Sequence, residues 1–256
     1  MIETTTARDE GLGECAARLR RASRVLVLSG AGVSAESGVP TFRGPGGLFQ
    51  KRRPEDLATP AAFAHDPRLV WEFYAWRRET IASLSPNPAH ETLAALERRI
   101  PEVLVATQNV DGLHAAAGSR KLVELHGSLW RLRCAEGCSP PFPDRKVPLP
   151  ELPPRCACGA WLRPDVVWFG EALPEGLLEQ AHAAAEAAEV VLVVGTSSLV
   201  YPAAGLPELA RRRGAFVVEV NTAETPLTPR AHASLRGPAA RVLPALMAAA
   251  FPEGHP

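Results

Sequence analysis

Four of the five cysteines fall within 25 residues of one another, as Cys134-x3-Cys138, then 17 residues, then Cys156-x-Cys158. Four thiolates suit tetrahedral zinc in a closed structural site, with none of the open coordination a catalytic zinc keeps. Four free buried thiols are the plainer alternative. The one-residue gap between Cys156 and Cys158 strains a shared ligand set, which Gly159 can relieve. The fifth, Cys15, reads as a small apolar helix residue. A second constellation is the run GAGVSAESGVPTFRG at 30–44. Gly30 and Gly32 let a backbone turn tightly and approach a pyrophosphate, whose charge a following helix N-terminus stabilises; a plain strand-to-helix turn explains the same glycines. Arg43 adds a cation of use to a phosphate or a reacting ribose. His126 is either a structural hydrogen-bonding residue or an acid–base group titrating near neutrality. Gln108, Asn109 and Asp111 read by themselves as an Asx-type turn at a strand end. Tyr74 and Arg77, three apart, share a helix face; spacing alone makes them a core-edge tyrosine beside a solvated arginine.

The elements that position these residues are legible as alternation. Short Val- and Leu-rich runs at 25–28, 103–106, 190–194 and 216–220 have the length of buried parallel strands. Each leads directly into small or hydrogen-bonding residues: Ser29-Gly30, Thr107-Gln108, Gly195-Thr196 and Asn221-Thr222. An open parallel sheet binds ligands just there, past the carboxyl ends of its strands. Helical stretches at 89–99 and 177–188 lie between, so the fold class is α/β, a doubly wound Rossmann-like sheet over 12–130 and 165–250. The proline-dense segment 131–164, with the four cysteines, interrupts the alternation as a small inserted module held by something other than a core. A second interruption, 45–84, reads as a helical flap beside the first loop.

Composition bounds the function classes. The 256 residues carry 28 Lys+Arg against 28 Asp+Glu, with 46% hydrophobic residues. Zero net charge leaves no bulk electrostatic attraction for nucleic acid or an anionic membrane. No apolar run approaches the roughly 20 residues of a membrane span. An odd cysteine count in a chain large enough for its own core speaks against a secreted disulfide scaffold and for the cytosol.

The glycine-rich run, TQNVDGLH at 107–114, HGS at 126–128, RPDVVWFGE at 163–171, GTSSLVYPAA at 195–204 and GPAA at 237–240 together resemble the ordered motifs of the sirtuins. The resemblance implies NAD-dependent removal of acyl groups from protein lysines, in a cleft between a Rossmann-like domain and a zinc-binding module. It implies His126 as general base, with Asn109 and Gln108 at the nicotinamide ribose and the reacting water, and Asp111 at the nicotinamide carboxamide. It places Gly30, Ala31, Gly32, Ser34, Glu36, Thr41, Phe42, Arg43, Val110, Gly195, Thr196, Ser197, Asn221, Thr222, Ala223 and Ala239 around NAD. Cys134, Cys138, Cys156 and Cys158 become the zinc ligands, although the family usually shows two CxxC pairs.

Tyr-x-x-Arg at 74–77 resembles the mark of the sirtuin class that removes succinyl, malonyl or glutaryl groups, with Tyr74 and Arg77 on the distal carboxylate and Ala58 lining the acyl pocket. An arginine can bind a carboxylate bidentately, and a phenol adds a hydrogen bond. Acetyl-lysine leaves that arginine without its anion, so acetyl turnover is expected to be less favoured. Two other readings use the same residues. A mono-ADP-ribosyltransferase shares an NAD cleft but needs no acyl pocket, and a non-catalytic NAD sensor or zinc-ribbon interaction module has no use for His126, Asn109 and Asp111 together, with zero net charge against nucleic acid as the ribbon's target.

Overall fold

Runs of Val and Leu with no polar face must be covered on both sides, and the computed structural model, which describes residues 3–40 and 56–252, covers them with helices. Helix α1 (Glu3–Arg21) leads into β1 (Arg24–Ser29), the single turn α2 (Ala31–Ser34) and a 3-10 turn at Ala35–Ser37. From residue 56 come α3 (Pro60–His65), α4 (Pro67–Ala82) and α5 (Pro88–Leu96). Each starts with proline behind a side-chain cap, and the Thr59 and Asp66 oxygens accept from the Ala62 and Leu69 amides at 3.1 and 2.9 Å. The chain continues through β2 (Glu102–Thr107), α6 (Leu113–Ala116), β3 (Leu122–Glu124), β4 (Gly127–Cys134), β5 (Phe142–Pro143) and β6 (Leu162–Val166). It closes with α7 (Glu175–Ala187), β7 (Val190–Val194), α8 (Leu206–Arg212), β8 (Phe216–Asn221), β9 (Ala233–Arg236) and α9 (Ala239–Ala250).

The large sheet has the order β3-β2-β1-β7-β8-β9, all parallel. Alternate residues feed two cores. Val25, Val27, Leu192 and Val194 pack with α1, α5 and α9; Leu26, Leu28, Val191 and Val193 pack with α7 and α8. The chain leaves β1 toward β2 on one side and returns to β7 on the other, so a crevice opens past their carboxyl ends.

The small sheet, β5-β4-β6, is antiparallel and runs from Gly127 to Val166, taking in residues on both sides of the 131–164 stretch. It corrects the expectation of a module without a core. Trp71, Tyr74 and Phe63 from α3 and α4 bury against Leu129, Leu132, Leu162 and Trp168, and the Trp71 indole donates to the Leu162 carbonyl at 2.8 Å. The helices and the cysteine-bearing sheet, read separately from sequence, thus share one apolar core.

Two loops hold the crevice at its narrowest. The amides of Gly30 and Gly32 donate to the carbonyls of Val194 and Gly195 at 3.0 and 2.7 Å. A Cβ on Gly32 would lie 2.8 Å from the Gly195 Cα, and one on Gly195, whose φ is +59°, would press into the Val33 amide nitrogen. Gly195→Ala is expected to lower the unfolding free energy by about 2–4 kcal/mol, the range for a steric clash at a strained backbone position. Urea unfolding checks it, and an unshifted midpoint would mean that the loops can part freely.

Candidate active site

A cavity of about 1110 Å³ occupies the crevice and extends to the small sheet. Small-molecule pockets commonly measure roughly 300–1,000 Å³, so this one has room for a dinucleotide together with an acyl chain. Its walls bring together Gly30, Ala31, Gly32, Glu36, Ala58, Tyr74, Arg77, Gln108, Asn109, Val110, His126, Gly195, Thr196, Ser197, Asn221, Thr222, Ala223 and Ala239. Ser34 and Asp111 stand one layer behind that wall. Thr41, Phe42, Arg43 and the part of the expected flap before residue 56 lie outside the described residues. The glycine loop departs from its sequence reading in one respect. Its following helix, α2, is a single turn, so little macrodipole is available, and the glycines themselves pack closely against the Gly195 loop. Side chains then tie the strand ends together: Gln108 Nε2 donates to Thr196 Oγ1 at 3.1 Å, and Asn221 Nδ2 to the Thr196 carbonyl at 2.8 Å. Glu36 accepts from the Ala240 amide at 2.8 Å, capping α9 from the cavity side.

His126 sits between β3 and β4, partly buried, with Nδ1 2.9 Å from the Gln108 carbonyl. A carbonyl only accepts, so Nδ1 carries the hydrogen and Nε2 keeps its lone pair. Burial pushes the His126 pKa below its usual value, partly opposed by that hydrogen bond. At the end of the cavity beside the small sheet Tyr74 is 3% and Arg77 6% exposed, so the arginine is not the solvated residue that spacing alone suggests. Burial raises the Tyr74 pKa and lowers that of Arg77, and Tyr74 and Asp111 oppose the latter shift.

Behind the wall lies a buried polar layer whose proton positions are settled by elimination. His90 Nδ1 accepts from the Asn87 amide at 3.2 Å, so its Nε2–H donates to Ser34 Oγ at 3.2 Å. Ser34 Oγ in turn donates to Asp111 Oδ2 at 2.8 Å and accepts from Asn109 Nδ2 at 3.1 Å. Asn109 Nδ2 also reaches the Gly30 carbonyl at 3.1 Å, so the amide is fixed from two sides. Ser29 Oγ donates to Thr107 Oγ1, which leaves it accepting from His114 Nε2, both at 2.8 Å. Sequence reasoning misses His90 and His114, because HETL and GLHA carry no signal that both imidazoles are buried, edge to face, 4.9 Å apart. It also misses Trp168, buried in the cavity wall, whose only signal is its place inside RPDVVWFGE.

The four cysteine sulfurs lie within 4.8 Å of one another, with Cys134 to Cys158 at 3.6 Å and Cys138 to Cys156 at 3.4 Å. Zn–S bonds of about 2.3 Å at tetrahedral angles separate sulfurs by about 3.8 Å, so the set fits zinc. Gly159, at φ +88°, donates to the Cys156 carbonyl at 2.9 Å and makes the turn that brings the closely spaced pair to one side.

Two outcomes follow from the cysteine cluster and the buried histidines. Purified protein is expected to carry about one zinc per chain by elemental analysis, and Cys138→Ser to lose it. Burial holds the His114 pKa at about 3, against 6.5 in a free side chain. The unfolded chain therefore takes up a proton below about pH 6.5 that the folded chain refuses. Stability present above that pH is lost on acidification, by about 2 kcal/mol between pH 7 and pH 5 from this residue alone. Urea unfolding at the two pH values measures it, and His114→Gln is expected to flatten the dependence.

The Sir2 family model matches residues 30–202. The chain is 53% identical over 205 residues to an NAD-dependent protein deacylase of Aquifex aeolicus, covering 80% of this chain and 85% of that one. It is 54% identical over 235 residues to an NAD-dependent protein deacylase of Thermus thermophilus, covering 89% and 90%. A solved Sir2 homologue–NAD complex superposes with a TM-score of 0.87 at 48% identity, covering 91% of each chain. With an aligned family model across most of its length and relatives above half identity, the chain belongs to the Sir2 family.

Proposed function

We propose that the protein removes acyl groups from protein lysines with NAD as co-substrate, yielding free lysine, nicotinamide and O-acyl-ADP-ribose. The observation that carries this reading is His126: its Nδ1 is pinned to a backbone carbonyl while the ring lines the cavity joining the glycine loops to Tyr74 and Arg77. Bound NAD supplies an electrophilic ribose carbon at its nicotinamide bond. The neutral Nε2 of His126 takes a proton from a ribose hydroxyl and later returns one. Asn109, fixed by Ser34 and the Gly30 carbonyl, presents its amide without reorganisation where charge develops. Asp111, which the resemblance gives to the carboxamide, has its carboxylate taken by Ser34 and by the Leu113 amide at 2.8 Å, and balances the charge of Arg77.

Within that chemistry we infer a preference for acyl groups ending in a carboxylate. Arg77 lines the acyl end of the cavity with Tyr74 and the small Ala58, so a carboxylate arriving there meets a guanidinium that can bind it with charge-assisted hydrogen bonds. Such a pocket has no task in mono-ADP-ribosyl transfer, and the matched relatives are named deacylases. A reducing cytosol suits four cysteines that act as ligands rather than as disulfides.

Given NAD and equimolar acetyl- and succinyl-lysine versions of one peptide, the protein is expected to consume the succinyl peptide faster, with O-succinyl-ADP-ribose detected by mass. Arg77→Gln is expected to reduce succinyl turnover about 10- to 100-fold, as for loss of a charge-assisted hydrogen bond, and acetyl turnover much less. His126→Ala is expected to lower kcat about 10²- to 10⁴-fold with NAD binding retained in calorimetry. Because burial lowers the His126 pKa, the base stays deprotonated into mild acid, so the acidic limb of kcat/KM should lie below about pH 6.5, the unperturbed histidine value.

A further inference from the structure

We propose that Trp168 is a positioning residue for acyl selectivity, holding the Tyr74 hydroxyl so that its own hydrogen is left to donate to an acidic acyl group; this rests on the acidic-acyl reading above. The indole Nε1–H of Trp168 lies 2.8 Å from Tyr74 Oη. An indole nitrogen only donates, so the phenol oxygen accepts and its own hydrogen is not consumed by this contact. Without Trp168 the hydroxyl can turn and present a lone pair to a carboxylate, which repels it. Tyr74, Arg77 and Trp168 all line the acyl end of the cavity, so the hydrogen is released where the distal carboxylate would arrive.

The indole is itself held on several sides, as a positioning group must be. The Arg163 guanidinium carbon stacks 3.3 Å from its ring centroid, and Phe63 packs at 5.2 Å. Arg163 is fixed by a bidentate pair with Glu171 at 2.6 and 2.8 Å, and Glu171 also accepts from the Trp168 amide at 2.8 Å. Within the nine residues from Arg163 to Glu171, an ion pair sets the arginine, the arginine sets the indole, and the indole sets the phenol. The carboxylate-binding hydroxyl is thus oriented by residues distant from α4, the helix that carries it.

The test is Trp168→Phe, which keeps an aromatic ring against Arg163 and Phe63 and removes the N–H. The ratio of succinyl to acetyl kcat/KM is expected to fall about three- to tenfold, the worth of one hydrogen bond, chiefly through KM for the succinyl peptide. In a Tyr74→Phe background the same substitution should leave the ratio where Tyr74→Phe alone puts it, because no hydroxyl remains to be aimed. Equal loss on both peptides, or an undiminished effect in the Tyr74→Phe background, would overturn the proposal and make Trp168 a packing residue. Wild-type protein with no preference for succinyl would overturn the acidic-acyl reading and this proposal with it. Turnover of acetyl peptide by the variants reports that they fold.

Discussion

The whole site depends on two backbones meeting where no side chain fits. At the heads of β1 and β7, Gly32 and Gly195 approach so closely that a single added carbon on either collides with main chain. That contact lets the Gly30 and Gly32 amides bond across to the neighbouring strand end. It also fixes the floor from which Asn109, Gln108 and Thr196 are hung. Neutral, tightly packed backbone can lie against a large polar ligand without the cost of burying competing side chains.

Beneath that floor the polar side chains form a sequence of single-option hydrogen bonds. The amide of Asn87, serving as a helix cap, decides the tautomer of His90; His90 decides which way Ser34 donates; Ser34 decides what remains for Asp111 and Asn109. Low dielectric makes each of these bonds strong and each error costly. The orientation of a carboxamide in the cavity is therefore set by a capping residue at the far end of the layer.

Much of this was legible in the residues, for physical reasons that also mark where legibility ended. Apolar runs such as VLVL at 25–28 can only be doubly covered strands, and the small residues after each had to meet at one sheet edge. The clustering of Cys134, Cys138, Cys156 and Cys158 was readable because thiolates that close in sequence have few other tasks. Burial of Arg77 was not readable, because a charged residue on an amphipathic helix looks solvated until the partner face is known. The shortness of α2 was not readable for a related cause: glycine spacing reports the turn, whereas the helix stops at Ser34 and the 3-10 turn after it ends at Gly38, at φ +94°. The shared core of α3, α4 and the small sheet escaped because its two halves lie on either side of β2 in the chain, and no local pattern records a contact of that span.

That shared core also separates two kinds of change. Ala58, Tyr74 and Trp168 belong to it, whereas the close contacts of Gly30, Gly32 and Gly195 belong to the edge of the large sheet. Substitutions around Ala58, Tyr74 and Trp168 are taken up mainly within this packing, which the loops past β1 and β2 enter through Val39, Val110 and Leu113. Such a chain can drift in which modified lysine it favours while the backbone contact of Gly32 with Gly195 stays largely as it is. Diversity of substrate and invariance of reaction then become consequences of where the cores divide.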